Sequence, residues 1–289
     1  MLKISAPAKI NLTLEVLGKR PDGFHEIRSV MQTVSLCDVL TFGEADKTTV
    51  QCDMAGWSAE KSLVNHAVNL LRDATGCTRG VAIDITKKIP LMSGLGGDSS
   101  DAAAVLKGLN EIWELGLTLE NQSEVAAQLG SDVTFLLQGG TALAMGRGEI
   151  ITVLSSLPEM WVVLVMPDVA VPEGKTARMY QSLTASHYTD GVLTDKIVAA
   201  IKRGEILDAS LLFNTFENIA FDDFNIRRVY VEHLDKLGAP HVHLVGSGPS
   251  LFTIFNDKTQ AEDLYIRCKD QGMEVYLVET YGKSENIWS

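Results

Sequence analysis

The stretch IPLMSGLGGDSSDAAA, residues 89–104, follows a predicted strand and opens a predicted helix. It holds three glycines, three serines and two aspartates between apolar flanks. The strand before it is GVAIDIT, residues 80–86, and from Ser99 onward apolar residues recur at helical spacing. We expect Asp98 or Ser99 to be the N-cap of this helix, because a short polar side chain can accept a free N–H of the first turn. The stretch is therefore predicted to be a glycine-rich turn that opens a helix.

A turn of this kind can bind phosphate, because the first-turn N–H groups and the helix dipole both favour an anion. Two familiar phosphate-loop patterns do not fit. The Walker loop needs Gly-Lys-Ser/Thr, but Gly96 and Gly97 are followed by Asp98. The dinucleotide fingerprint, started at Gly94, would need a glycine at Ser99. The glycine spacing alone thus leaves a phosphate loop and a simple tight turn equally open.

The rest of the chain predicts a mixed α+β fold. Residues 9–17 alternate between apolar and polar side chains, which is typical of a half-buried strand, and Ser131-Asp132 are expected to cap a short helix. Further strands are predicted at 80–86, 141–145, 150–154, 160–166, 241–245, 251–255 and 273–281, and helices at 60–75, 99–113, 120–129, 133–138, 176–184, 192–202, 224–237 and 258–271. We expect two lobes, residues 1–158 and 159–289, with a cleft between them.

Composition and charge exclude several classes of function. The chain has 289 residues, 46% of them apolar, and a net charge of −12, which argues against nucleic acid and against an anionic membrane as partners. A small anionic ligand stays possible, since local loops can outweigh the global sign. The longest apolar run, Met160–Met166, has seven residues and is far too short to span a membrane. With no signal-peptide pattern, we expect a cytoplasmic protein.

The cysteines and histidines do not predict a metal centre. The four cysteines form no C-x-x-C pair, so we expect free thiols in a reducing compartment rather than a zinc site or a disulfide framework. His241 and His243 would share one face of a strand, but no third ligand lies near them in sequence. We therefore predict no metal site built from protein side chains.

Four separated motifs occur in order along the chain. They are PAKIN at 7–11, PLMSGLGGDSS at 90–100, GSDV at 130–133 and GSG at 246–248. This set resembles the galactokinase–homoserine kinase–mevalonate kinase–phosphomevalonate kinase (GHMP) superfamily. Within it, residues 7–38, PAKINLTLEVLGKRPDGFHEIRSVMQTVSLCD, most closely resemble the branch that phosphorylates 4-diphosphocytidyl-2-C-methyl-D-erythritol in the non-mevalonate isoprenoid route.

The resemblance implies a fold, an activity and partners. The expected fold is the two-lobed GHMP kinase fold, with an N-terminal lobe like the second domain of ribosomal protein S5 and a ferredoxin-like C-terminal lobe. ATP, accompanied by Mg²⁺, would donate a phosphoryl group to the 2-hydroxyl of the cytidine diphosphate-linked methylerythritol. We expect this small molecule as the partner, no nucleic acid or membrane partner, and a monomer or weak homodimer.

The resemblance also assigns roles to individual residues. Lys9 and Asp132 match the catalytic lysine and aspartate of the superfamily. The residues implied in substrate binding are Asn11, Phe24, His25 and, more loosely, Thr176. The residues implied in holding the ATP phosphates are Pro90, Leu91, Met92, Ser93, Gly94, Leu95, Gly96, Gly97, Asp98, Ser99 and Ser100.

Without the resemblance, these residues have simpler interpretations. Asp132 alone favours a helix N-cap, Lys9 alone a solvated strand lysine, and His25 alone a turn residue. The chain also departs from the superfamily pattern at Asp98, Ser131 and Thr134, where glycine, alanine and proline are usual. Ser131 and Thr134 are mild changes, whereas Asp98 places negative charge where phosphate is expected.

Three functional alternatives stay open. The chain could be a GHMP kinase for another small alcohol, in which case the Phe24-His25 pair would be accidental. It could instead be a nucleotide-binding protein that has lost catalysis, with Asp98 as the lesion. The presence of both Lys9 and Asp132 counts against that reading. RNA binding is the weakest alternative, because the net charge is −12.

Overall fold

A computed structural model of the chain describes residues 1–172, 174–223 and 227–282. The strands are β1 Leu2–Asn11, β2 Thr13–Lys19, β3 His25–Ala45, β4 Thr49–Cys52, β5 Gly80–Thr86, β6 Thr141–Gly146, β7 Ile150–Val153, β8 Trp161–Met166, β9 Phe213–Asn214, β10 His243–Leu244, β11 Leu251–Phe255 and β12 Glu274–Glu279. The helices are α1 Leu63–Thr75, α2 Gly97–Ile112, α3 Leu119–Leu129, α4 Ser131–Gln138, α5 Lys175–Ser182, α6 Val192–Arg203, α7 Glu217–Asp223, α8 Glu232–Lys236 and α9 Lys258–Asp270, with shorter turns of helix at Ala185–His187, Ala209–Leu211 and Arg227–Val231.

Two sheets organise the described part of the chain. In the larger sheet the long strand β3 pairs antiparallel with β1, β2, β5 and β6, while β4, β7 and β9 extend it at its margins. In the smaller sheet β8 lies between β11 and β12, and β10 pairs with β11. The run MWVVLVM is thus a buried central strand, as its apolar sequence predicts.

The strand predicted at 9–17 is wrong in two respects. It breaks at Leu12 into β1 and β2, and its polar face is buried rather than solvated. The reason is that later parts of the chain cover this face: Thr194 N–H, at the start of α6, donates to Glu15 Oε2 at 2.7 Å. The sequence alternation is correct, but alternation does not reveal what packs on the polar side.

The helix starts also differ from expectation. Gly96 is the N-cap of α2, with φ 75°, and Gly130 is the N-cap of α4, with φ 154°. Neither helix has a side-chain cap, so the predicted caps at Asp98 or Ser99 and at Ser131-Asp132 are wrong. Glycine takes these positions because the backbone is left-handed there, which other residues adopt only with strain.

The helices predicted at 176–184, 192–202 and 258–271 and the strands predicted at 160–166, 251–255 and 273–281 are present, with ends within two residues of the predicted ones. The predicted strand at 241–245 is reduced to β10, His243–Leu244. Of the helix predicted at 224–237, residues 224–226 lie outside the described residues. The remainder is a π-helical turn, Arg227–Val231, followed by α8.

The two halves of the chain are interlinked rather than simply adjacent. Strand β9 pairs in parallel with β2 of the larger sheet. Near the end of the described chain, Tyr281 N–H donates to Thr33 O at 2.9 Å. A division at residue 158 stays a prediction, and any lobe boundary has to allow for these crossings. None of the helices in the described residues has the length and apolar content that a membrane span requires.

Candidate active site

Two glycine-bearing loops close over the side chain of Lys9. The first is the glycine loop, residues 89–97, in which Leu95 O accepts a hydrogen bond from Lys9 N–H at 2.9 Å. A Cβ at Gly96 would lie 3.1 Å from Lys9 Cγ, and a Cβ at Gly246, after β10, would lie 3.1 Å from Lys9 Nζ. Glycine at both places therefore lets backbone approach the lysine closely.

The Lys9 ammonium contacts two polar side chains, Asn11 and Asp132. Its Nζ donates to Asn11 Oδ1 at 3.0 Å and lies 3.4 Å from Asp132 Oδ2. The Lys9 side chain is 5% exposed and that of Asp132 39% exposed. Asn11 Nδ2 in turn donates to Ser29 Oγ at 2.8 Å, which fixes the amide so that its oxygen faces the lysine. The ammonium is thus fixed and buried, while the carboxylate opens to solvent.

The start of α2 offers unpaired N–H groups beside this pair. The first hydrogen bond of the helix runs from Ser100 N to Gly96 O at 2.8 Å, so the N–H groups of residues 96–99 come before it. The loop is held from outside: Ser100 Oγ donates to Pro7 O at 2.7 Å, and Ser250 N–H donates to Ser93 O at 3.2 Å. A preset loop with N–H groups at the positive end of a helix is suited to phosphate.

The carboxylate of Asp98 is directed away from these N–H groups. It accepts a hydrogen bond from Ser62 Oγ–H and another from Leu63 N–H, the latter at 3.0 Å, both at the start of α1. Asp98 therefore contributes to the capping of α1 rather than of its own helix. In this conformation the Asp98 carboxylate does not compete with a phosphate for the N–H groups of residues 96–99.

The glycine loop lines two cavities, and a third cavity adjoins one of them. The reaction cavity, of about 370 Å³, is lined by residues that include Lys9, Asn11, Gly96, Ser99, Asp132 and Thr176. The aromatic cavity, of about 290 Å³, includes Phe24, His25, Arg147, Tyr180 and Tyr188. The loop cavity, of about 480 Å³, includes Trp57, Lys61, Ser62, Leu91, Met92 and Asp98. Arg147 and Tyr180 line both the reaction cavity and the aromatic cavity, so these two adjoin.

The aromatic cavity is built around a buried histidine. The His25 ring stacks on Tyr180 with centroids 5.1 Å apart, and Tyr188 meets it edge-on at 6.0 Å. Burial, with a smaller contribution from Lys19, lowers the pKa of His25, so the imidazole is neutral near pH 7. Burial, with a smaller effect of Asp132, raises the pKa of Tyr180 to about 12 and keeps its hydroxyl protonated.

Phe24 is the exposed member of this cavity. Its side chain is 54% exposed, and the Arg147 guanidinium lies 4.7 Å from the centre of its ring. Arg147 occupies the turn between β6 and β7, where its carbonyl accepts a hydrogen bond from Ser131 Oγ at 3.1 Å. The turn is thereby tied to the start of α4, one residue before Asp132.

Below the glycine loop lies a buried ionic cluster of Asp38, Lys87 and Asp101. Lys87 Nζ contacts Asp38 Oδ2 at 2.5 Å and Asp101 Oδ2 at 2.6 Å. Asp38 Oδ1 accepts the N–H groups of Lys88 and Ile89, which fixes the entry to the loop. Burial and the nearby Asp38 raise the pKa of Asp101 well above its ordinary value, against the lowering effect of Lys87. The cluster ties the strand that enters the loop to the helix that leaves it.

Comparison with known proteins identifies the family. The chain is 47% identical over 282 residues to a 4-diphosphocytidyl-2-C-methyl-D-erythritol kinase of Dehalococcoides mccartyi, covering 98% of this chain and 99% of the relative. The chain belongs to the 4-diphosphocytidyl-2-C-methyl-D-erythritol kinase family. A relative of the same name from Listeria innocua is 37% identical over 99% of this chain and 98% of its own length.

Structural and domain comparisons agree with that assignment. A crystal structure of 4-(cytidine 5'-diphospho)-2C-methyl-D-erythritol kinase matches with a TM-score of 0.82 and 29% identity, over 97% of this chain and 99% of that one. The model of the GHMP kinases N terminal domain matches residues 62–140. The predicted two-lobed GHMP kinase fold is confirmed.

The site residues predicted for this 4-diphosphocytidyl-2-C-methyl-D-erythritol kinase family member fall into distinct places. Of the phosphate-loop set, Gly94, Gly96 and Ser99 line the reaction cavity, while Leu91, Met92 and Asp98 line the loop cavity. Pro90 O accepts a hydrogen bond from Ser93 Oγ, Gly97 lies against Ile89, and Leu95 and Ser100 are buried, so these residues shape the loop from inside. The roles of all of them stay predictions.

The acceptor-side residues are also brought together. Thr176 Oγ1 lies 2.8 Å from Ser247 Oγ, which joins α5 to the C-terminal glycine loop beside the reaction cavity. Sequence reasoning in terms of the kinase family missed Arg147, Tyr180 and Tyr188. Arg147 lies between Gly146 and Gly148, a pattern that indicates only a tight turn. The two tyrosines carry no local pattern, because the His25 ring that they contact lies more than 150 residues away in sequence.

Proposed function

We propose that the chain is an ATP-dependent kinase that phosphorylates the 2-hydroxyl of 4-diphosphocytidyl-2-C-methyl-D-erythritol, a step toward isoprenoid precursors. The observation that carries the proposal is the Lys9–Asp132 pair, 3.4 Å apart in a cavity bounded by the glycine loop. Phosphoryl transfer needs positioned reactants, positive charge near the phosphates and a carboxylate to orient the attacking hydroxyl. Family membership supplies the substrate.

The donor nucleotide fits across the glycine loop. Its phosphates would meet the N–H groups of residues 96–99 and face Lys9. Its nucleoside would lie in the loop cavity on the other side, where Trp57, Leu91 and Met92 offer apolar surface. The loop has room for this backbone approach, since the only substituent at Gly96 and Gly97 is hydrogen.

The acceptor fits the two adjoining cavities. The cytosine ring would stack on the exposed Phe24, with neutral His25 able to exchange hydrogen bonds with its polar edge. The diphosphate would meet Arg147, which lines both cavities, so that the methylerythritol end reaches the reaction cavity. Arg147 would thus lie between the cytosine, which is recognised, and the methylerythritol, which reacts.

The proposed reaction uses Asp132 and Lys9 in complementary ways. Asp132 orients the 2-hydroxyl and accepts its proton while the hydroxyl oxygen bonds to the γ-phosphorus. The bond from that phosphorus to the β–γ bridging oxygen breaks, and ADP leaves. The buried Lys9 ammonium stabilises the charge on the transferring oxygens, and Asn11 holds the lysine in place.

The residues fit a metal that arrives with the nucleotide. Within the described ranges, no group of three His, Cys, Asp or Glu side chains could hold a metal ion alone. Asp132 and the Ser99 hydroxyl are hard oxygen ligands that line the reaction cavity beside the phosphate position. Mg²⁺ bound there would neutralise phosphate charge during transfer.

A substrate comparison tests the proposal. Turnover with ATP and the cytidyl substrate should be Mg²⁺-dependent, and it should exceed turnover with the same alcohol lacking the cytidyl group, mevalonate, homoserine or galactose. Equal activity on the alcohol without its cytidyl group would refute recognition through the aromatic cavity. Nucleotide binding without turnover of any of these alcohols would favour a chain that has lost catalysis.

A further inference from the structure

We propose that Asp98 is a positioning residue for the nucleotide, because its carboxylate fixes one wall of the loop cavity to the glycine loop. This inference rests on the proposed function, in which ATP phosphates lie on that loop. It concerns a residue at which the chain departs from the usual superfamily pattern. The departure then serves nucleotide binding rather than impairing it.

The geometry is a hydrogen-bonded tie between two helix starts. Asp98 lies in the first turn of α2, while its carboxylate accepts Ser62 Oγ–H and Leu63 N–H at the start of α1. Ser62 Oγ itself accepts the N–H of Val64 at 3.2 Å. Asp98 and Ser62 are 36 residues apart in sequence, so this contact is a tertiary link and not a local cap.

The tie controls the separation of the cavity walls. One wall is the segment 56–62, with Trp57, Lys61 and Ser62, and the other wall is the glycine loop with Met92, continued by Asp98 in the first turn of α2. The start of the first segment is anchored where Asp53 Oδ1 accepts Lys87 N–H at 2.9 Å. Its other end is anchored through Asp98. Among the described residues, these are the hydrogen bonds that join that end to α2.

The same hydrogen bonds also stabilise the negative charge of the Asp98 carboxylate. The Asp98 oxygens lie against the N-terminal end of α1, where a helix dipole favours negative charge. They therefore point away from the N–H groups of residues 96–99 that would meet phosphate. Removing the side chain then removes the wall contact, whereas it relieves little repulsion of the phosphates.

Three variants separate the tie from the charge. Asp98→Ala removes both. Asp98→Asn keeps an oxygen for Leu63 N–H and an amide that can bond to Ser62 Oγ, but it carries no charge. Ser62→Ala removes the hydrogen bond to Asp98, together with the Ser62 cap on Val64 N–H, and leaves the charge of Asp98. The measurements are the KM for ATP and kcat with the cytidyl acceptor, the Kd of Mg·ADP by calorimetry, and the Tm.

We expect Asp98→Ala to weaken Mg·ADP binding and to raise the KM for ATP by about tenfold, the scale of one charged hydrogen bond, with kcat within about twofold. Ser62→Ala should weaken binding in the same direction, and the double variant should be no worse than Asp98→Ala, since both act on one contact. Asp98→Asn should restore binding to within about twofold of wild type.

A matched control separates nucleotide positioning from general stability. Asp257 caps α9 by accepting Gln260 N–H at 3.0 Å, in the smaller-sheet half of the molecule. Asp257→Ala should lower the Tm as a lost cap does, without changing Mg·ADP binding.

Two results would overturn the proposal. If Asp98→Ala and Asp98→Asn both tighten Mg·ADP, the carboxylate acts by repelling phosphate. If Asp98→Ala lowers the Tm but leaves KM and Kd unchanged, the contact only stabilises α1. Failure of wild type to bind Mg·ADP would instead refute the proposed function, which keeps the two failures distinct.

Discussion

Replacement of Asp132 by asparagine tests the central step of the proposed reaction. The aspartate lies in the first turn of α4 with Oδ2 3.4 Å from Lys9 Nζ, and its side chain caps nothing, because the N-cap is Gly130. Asp132→Asn therefore removes a charge and a proton acceptor with almost no change in volume. The variant should fold, since Lys9 keeps its hydrogen bond to Asn11.

The magnitudes for stability and for catalysis differ enough to be separated. At 3.4 Å and an effective dielectric of 20, the Asp132–Lys9 attraction would be about 5 kcal/mol, but solvent screens a carboxylate that is 39% exposed. Partly exposed pairs contribute on the order of 1 kcal/mol, which is a few degrees in Tm. Loss of a general base lowers kcat by roughly 10²–10⁴-fold, or about 3–5 kcal/mol in the barrier.

The assay is steady-state ADP release with saturating ATP and cytidyl substrate, beside thermal melts and Mg·ADP calorimetry. Asp195→Asn is the matched control, because Asp195 also lies in a first helical turn and pairs with a cation, Arg28, at 2.8 Å, but does not line the reaction cavity. The control should keep its turnover. Turnover of folded Asp132→Asn within tenfold of wild type would refute the assignment of Asp132 as the base.

Three further changes test other parts of the site. Lys9→Ala should lower kcat more than it weakens ATP binding, and an unchanged rate would leave Lys9 a structural residue. Phe24→Ala should raise the KM for the cytidyl substrate, because base stacking contributes on the order of 1–3 kcal/mol to binding. A change confined to kcat would contradict stacking. Asp101→Asn should change the pH dependence of stability. Burial raises the pKa of Asp101 in the folded protein, so the protonated carboxyl contributes its full stabilisation below about pH 4. That stabilisation is lost as pH rises through the folded pKa, so the Tm of the variant relative to wild type should increase between about pH 4 and pH 8. A Tm difference that does not vary with pH would show that Asp101 titrates alike in both states.

Elements with strong local signals could be predicted from the sequence. The strand at 80–86 has the predicted bounds, and the helix predicted at 60–75 ends at Thr75, with Gly76 as its left-handed C-cap at φ 70°. The Lys9–Asp132 contact was accessible only through the family resemblance, because 123 residues separate the two in sequence. Periodicity alone predicts a surface lysine at position 9 and a helix N-cap at Asp132.

The contacts that the sequence could not predict are tertiary. A preference for aspartate at N-caps does not say which helix the side chain will cap, and Asp98 bonds to α1 because the fold brings Ser62 beside it. Strand β9 is two residues long and gains its place by pairing with β2. His25 is buried by Tyr180 and Tyr188, which belong to the other half of the chain. None of these contacts could be predicted from the periodicity of the sequence.

Three of the aspartates near the glycine loop show how an acidic chain can offer a site to polyanions. Asp98 is directed to the start of α1, and Asp101 is held by Lys87 within the buried cluster. Asp132 is the one of the three that lines the reaction cavity, where it faces Lys9. The local arrangement therefore turns two carboxylates away from the phosphates and leaves the third where a hydroxyl would need a base. The net charge of −12 describes the surface as a whole and does not oppose phosphate binding at this point.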